Sequence, residues 1–235
     1  MPDRSIVGAW CTRPNRADVD FAAGLGLRRL DVMVNDFSKE RKPTRFRFDK
    51  LSKDVVEYAA NRGIAVHLTS WIMPHVDFAR EAGDELQHLC GITGAQGIVL
   101  DAEEPWTLAL ASQREAAADA FFEATMGCRV GVSGIGFADR MKLGPLMARA
   151  DYGVPQAYVT QTSGLSLAGI PKVLAHWEAF KKPIVPALAG YRTNRAGMLA
   201  AWYAVQPAQT VLYWALRHLK DSDTRQDAIR HLARG

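Results

Sequence analysis

Three acids, Asp101, Glu103 and Glu104, stand between the apolar run Gly97–Leu100 and the pair Pro105–Trp106. Two carboxylates side by side can do acid–base work: one gives a proton while the other stays ionised or steadies positive charge. If Gly97–Leu100 is a buried strand, Asp101 and Glu103 share a face, ~6–7 Å apart along the chain, and Ala102 turns to the opposite layer. Asp101 follows the buried run directly. It must be hydrogen-bonded or functional, because burying an unpaired charge is costly. Glu104 has two readings, as a site residue or as a charge that meets the dipole of a helix starting at Pro105.

Other side chains could complete a site with these acids. Asp31 lies inside a β-rich run, and Asp36 follows that run. Gln156 and Tyr158 alternate onto one face of a further strand pattern. Trp10, Trp71 and Trp214 fall at the ends of three others. Any one of these rings would suit a core. Several of them around a carboxylate pair suit a sugar, whose apolar face stacks on rings and whose hydroxyls bind carboxylates and amides. His67 reads as a hydrogen-bonded interior histidine. No His-x-His or His-Glu-x-x-His occurs, so no metal and no cofactor is expected. A weaker alternative groups Asp101, Glu103 and Asp31 around Mg²⁺. The basic residues Lys39, Arg41, Lys42, Arg45 and Arg47 read as a solvated loop.

The elements that must position these residues alternate along the chain. Strand patterns fall at Ser5–Cys11, Arg29–Val34, Ile64–Thr69, Gly97–Leu100, Arg129–Ser133, Gly153–Tyr158, Pro183–Ala187 and Thr210–Trp214. Helical patterns fall at about Ala17–Leu25, Asp49–Arg62, Asp77–Gly91, Pro105–Met126, Phe137–Ala148, Pro171–Lys181, Asn194–Tyr203 and Asp221–Ala233. Strands that alternate with helices pair in parallel through crossovers. Eight such units predict an α/β fold, a single (β/α)8 TIM barrel domain over residues 1–235. A doubly wound open sheet fits less well: it rarely needs eight units, and the first strand–helix turn lacks a Gly-x-Gly-x-x-Gly loop. In such a barrel the site is built where the strands end, so the acids would stand at the mouth.

Composition narrows the classes. With 48% hydrophobic and 23% charged residues the chain reads as an ordinary globular protein. There is no 18-residue apolar run, so no membrane partner is expected. The N-terminal stretch lacks an apolar signal core, which predicts a protein cytoplasmic as synthesised, deliverable by a phage or another export route. Cys11, Cys90 and Cys128 are odd in number and match no zinc or redox spacing, so free thiols are expected. A net charge of +4 mildly favours an anionic partner. Nothing resembles a nucleic-acid-binding motif.

An Asp-x-Glu at the end of strand four of a (β/α)8 barrel resembles glycoside hydrolases of the family 25 muramidase and family 18 chitinase kind. The stretches that carry it are Val99–Trp106, Pro155–Tyr158, Lys182–Tyr191 and Val211–Leu216. The resemblance implies Glu103 as general acid and Asp101 as the group that orients it or holds an acetamido substituent. It also implies Tyr158 and Trp214 as lining of a sugar subsite. Family 25 usually carries an Asp at the end of strand one, and none stands there. Gln96 and Val99 occupy two positions where family 18 has acids. The expected activity is therefore a glycosidase acting on a cell-wall or N-acetylhexosamine-containing polysaccharide, with a non-catalytic glycan- or protein-binding barrel as the alternative. If the substrate is an N-acetylhexosamine, its own acetamido oxygen can be the nucleophile. Otherwise Asp31, Asp36 or Glu104 must supply a second carboxylate. A carboxyl separation of ~5–5.5 Å would mean retention and ~6.5–9.5 Å inversion.

Overall fold

A computed structural model describes residues 6–35, 51–160 and 165–234. Eight parallel strands close into a barrel in sequence order. They are β1 (Ile6–Thr12), β2 (Arg29–Met33), β3 (Ala65–Trp71), β4 (Ile98–Asp101), β5 (Val130–Ile135), β6 (Tyr152–Gln156), β7 (Ala187–Ala189) and β8 (Thr210–Trp214). Closure comes from β8 lying beside β1, with Val7 opposite Val211 and Ala9 opposite Tyr213. The helices between them are α1 (Arg16–Gly24), α2 (Lys53–Ala60), α3 (Val76–Thr93), α4 (Glu104–Leu108), α5 (Ala111–Ala124), α6 (Gly144–Arg149), α7 (Ile170–Glu178), α8 (Arg195–Ala204), α9 (Leu216–Lys220) and α10 (Asp223–Arg234). Among the described residues no helix is long and apolar enough to cross a membrane.

The alternation of side chains along each strand sorts residues into two cores. On β4, Ile98 and Leu100 pack outward into the layer between strands and helices, together with Ala102. Val99 points inward and belongs to a second buried cluster with Trp10, Met33, Tyr152, Val154 and Leu212. The same parity turns Asp101 inward one step nearer the mouth.

Deeper in the barrel the filling is polar. Arg29 grips Asp31 with two hydrogen bonds, from Nε (2.8 Å) and Nη2 (2.7 Å). Its Nη2 also donates to the Tyr152 hydroxyl at 3.1 Å, and that hydroxyl lies 3.2 Å from His67 Nδ1. Burial lowers the His67 pKa to about 4, so the ring is neutral, as an interior histidine should be. Gly131 makes room for this network, since a Cβ there would sit 2.4 Å from the Tyr152 ring.

Several boundaries differ from the sequence expectation, for local reasons. The single helix expected over 105–126 is two, because Ala109 and Leu110 are extended and Gln113 Oε1 caps the Leu110 N–H at 3.0 Å. The helix expected from Phe137 starts only at Gly144, because Lys142 adopts a positive φ of 53° that interrupts helical winding. The seventh strand is short and shifted toward Ala189. Pro183 and Pro186 have no N–H to give, so the chain before Ala187 touches β6 only by a bridge at Ile184. The helix α9, directly after β8, had no counterpart in the sequence reading. The expected thiols are free, with Cys11 buried and Cys90 and Cys128 half-buried.

Candidate active site

The mouth of the barrel holds a cavity of about 450 Å³. Its lining includes Asp101, Glu103, Gln156, Tyr158, Trp10, Trp71 and Trp214. Seven of the ten residues singled out from sequence are thus brought together, from five strands or the loops that continue them. Two others, Asp31 and Glu104, are not in that lining. Asp31 is fully buried and committed to Arg29, one layer below the mouth. Asp31 faces the barrel interior as the mouth residues do, opposite Trp10 and His67 on the neighbouring strands. Parity fixes which face a side chain takes, not how deep it sits. Glu104 is exposed in the first turn of α4, the helix-dipole position. Asp36 lies outside the described residues, as do the basic residues from Lys39 to Arg47. The Mg²⁺ alternative loses its third ligand with Asp31, and among the described residues no three His, Cys, Asp or Glu side chains could hold a metal ion together.

Asp101 is 3% exposed and surrounded by donors. Gln156 Nε2 donates to its Oδ1 at 2.8 Å and also to Ser133 Oγ at 3.0 Å. The Ser133 hydroxyl and the Trp71 indole N–H complete the hydrogen bonding of the carboxylate. Register explains this grouping, because Trp71 and Ser133 stand opposite Asp101 on the two neighbouring strands. Burial nevertheless raises the Asp101 pKa well above the usual carboxylate range, and the nearby Glu103 charge adds to the rise, against the pull of the three donors. Burial also pushes Glu103 up to about 7. A carboxyl group with that proton affinity can carry a proton near neutral pH and give it away.

Aromatic side chains form another part of the wall. Trp10 and Trp214 meet edge to face with centroids 4.7 Å apart. Tyr158 sits against the acids: burial raises its pKa, and the charges of Asp101, Tyr191 and Glu103 raise it further. Two buried donors, the Tyr158 hydroxyl and the Trp10 indole N–H, have no hydrogen-bond partner among the described residues.

Sequence reasoning missed several contributors. Ser133 closes the strand pattern Arg129–Ser133, and a polar residue at an inward position of a strand end was the signal available. Asn35 supports the site from behind, with its Oδ1 accepting from the Trp71 backbone N–H at 2.8 Å. Asp18, Arg217 and Lys220 also line the cavity. They sit on helices that curl over the mouth, and no strand periodicity could mark them.

No family model matches the chain, and no curated protein matches it either. Solved structures do share its fold. The GH18 chitinase ChiB from Flavobacterium johnsoniae is 10% identical with a TM-score of 0.66, over 98% of this chain and 94% of that one. An endo-β-N-acetylglucosaminidase from Cordyceps militaris is 13% identical with a TM-score of 0.65, over 98% and 90%. A xylanase and α-amylase inhibitor protein from Scadoxus multiflorus is 10% identical with a TM-score of 0.68, over 96% and 97%. These likenesses support the chitinase side of the sequence resemblance at the level of fold and give the muramidase side no support. Because the inhibitor shares the barrel, the fold by itself does not decide between catalysis and binding. What this chain is similar to is a glycoside hydrolase-like (β/α)8 barrel.

Proposed function

We propose that the chain is a glycosidase acting on an N-acetylhexosamine-containing polysaccharide, with Glu103 as general acid and Asp101 as its assistant. One observation carries this reading. Glu103 holds its proton up to about pH 7 inside an aromatic cavity, beside a carboxyl group braced by three donors. Protonated Glu103 gives its proton to the leaving glycosidic oxygen. Asp101 steadies the positive charge that develops as the bond breaks, or holds the substrate's acetamido group while its oxygen attacks the anomeric carbon. The second route suits this chain better, because among the described residues Asp31 and Glu104 are not in the cavity lining to act as a nucleophile, and Asp18, which is, is paired with Lys220. The unpartnered Tyr158 hydroxyl and Trp10 N–H fit the same substrate. Leaving such donors unsatisfied costs about 1–3 kcal/mol each, and a glycan supplies acceptor oxygens.

A non-catalytic glycan- or protein-binding barrel is the second reading. It is favoured by fully buried Val99, at one position where the resemblance to family 18 would place an acid. Hydrolysis of chitin oligomers beside cello-oligomers of equal length, with and without EDTA, tests the proposal. Cleavage of the N-acetylated series alone, unchanged by EDTA, is expected. Cleavage of both series would remove the acetamido group from the mechanism. No cleavage of either, on folded protein, would favour the binding barrel.

A further inference from the structure

The two sides of the cavity carry different ionisable groups, carboxyl groups on one and basic side chains on the other. Strands β4 and β8 are four positions apart in an eight-stranded barrel, so they face each other across the mouth. The acids stand on the β4 side. On the β8 side, the chain passes through Ala215 into α9, and Arg217 and Lys220 border the same cavity. Lys220 is neutralised by an ion pair with Asp18. Arg217 is not: among the described residues, no carboxylate lies within 4.0 Å of its guanidinium. Its Nε is 3.4 Å from His218 Nε2. The His218 ring packs on Tyr191 at 5.4 Å, and Tyr191 packs on Tyr158 at 6.1 Å. One edge of the guanidinium is therefore held by a row of rings that reaches the acid pair, and its two terminal nitrogens are left to bind something else.

We infer that Arg217 recognises a carboxylate carried by the glycan, so that the preferred substrate is an anionic hexosamine polymer rather than a neutral one. This rests on the glycan-binding reading of the cavity. A planar guanidinium fork matches a carboxylate with two parallel hydrogen bonds, which an ammonium cannot do. Placement also sets orientation. A carboxylate near β4 would meet Asp101 and Glu103, whereas one near β8 meets an uncompensated cation, so a charged chain lies across the mouth in one direction only.

The test is a binding titration on Glu103→Gln, which keeps the cavity and removes the acid. Tryptophan fluorescence reads occupancy, since Trp10, Trp71 and Trp214 line the cavity. The probes are a short oligomer of alternating N-acetylglucosamine and N-acetylmuramic acid and the same oligomer with its lactyl carboxyl reduced to the alcohol. The carboxylated probe should bind about tenfold more tightly at low salt, as one charge-assisted bidentate contact allows. That ratio should fall toward one in Glu103→Gln/Arg217→Gln and in high salt, while Glu103→Gln/Arg217→Lys should recover only part of it. Equal binding of the two probes would overturn the role of Arg217 and leave the glycan reading standing. A tenfold ratio that survives Arg217→Gln would overturn it as well. Binding of neither probe would overturn the role of Arg217, and failure of a chitin oligomer titrated beside them would overturn the glycan reading as well.

Discussion

Glu103→Gln should make the protein more stable, and the gain should depend on pH. Burial raises the folded-state pKa of Glu103 from 4.5 to about 7. A carboxyl group whose pKa is raised on folding contributes most below its unfolded pKa, and that contribution is lost as pH rises through the folded value. The wild type therefore loses stability between about pH 4.5 and 7, whereas a glutamine does not titrate. At ~1.4 kcal/mol per pKa unit the full shift corresponds to ~3 kcal/mol. Glu103 is only partly enclosed, and solvent screening reduces this to about 1–2 kcal/mol. Asp101 acts in the same direction, because removal of the Glu103 charge eases its ionisation. For a chain of this length the expected rise in Tm is roughly 2–8 °C at pH 8.5, and close to nothing at pH 4. Any hydrogen bond that glutamine gains or loses is independent of pH, so the slope is the readout. Thermal melts of both proteins from pH 4 to 9 supply it. A difference in Tm that stays flat across that range, or a variant less stable than wild type at pH 8.5, would refute the raised proton affinity on which the site reading depends.

Other expectations concern the same architecture. Asp31→Ala leaves the Arg29 guanidinium buried and unpaired, so urea denaturation should show a loss of about 3–5 kcal/mol; a loss below ~1 kcal/mol would mean that the pair is not a structural element of the barrel floor. Gly131→Ala drives a methyl group into the Tyr152 ring and should cost about 1–3 kcal/mol by the same method. The rate of glycan cleavage should fall above about pH 7 as Glu103 loses its proton, and a profile that rises through pH 8 would contradict its role as acid. Gln156→Leu removes a donor from buried Asp101 and should lower kcat/KM at least ~10-fold, and urea denaturation should show a loss of about 1–3 kcal/mol from the orphaned acceptors.

The barrel was legible because its signal is repeated eight times. Each strand pattern is short, but the alternation with helices recurs along the whole chain, and errors of a few residues at Gly153–Tyr158 or Pro183–Ala187 do not change the topology. Asp101 and Glu103 were legible for a related reason. Their position follows from strand parity, and parity is local. Depth in the barrel is not local. It depends on strand tilt and on which neighbour lies opposite, so Asp31, inside its strand, reads as a candidate partner of the acids although Arg29 holds it below the mouth. The breaks at Ala109 and Lys142 come from backbone conformations that apolar periodicity does not encode. Arg217 could not be found from sequence at all, because its relevance comes from where α9 lies over the cavity and from the absence of an acid beside it among the described residues.

The central claim is that Glu103 is the proton donor of a glycosidase. Reducing-end release with mass spectrometry of the products, from chitin oligomers and from purified glycan strands, tests it when wild type and Glu103→Gln are run side by side. Defined shorter oligosaccharides from wild type, and none from a folded Glu103→Gln, are predicted. Equal release by both proteins would contradict the assignment and place the chemistry elsewhere.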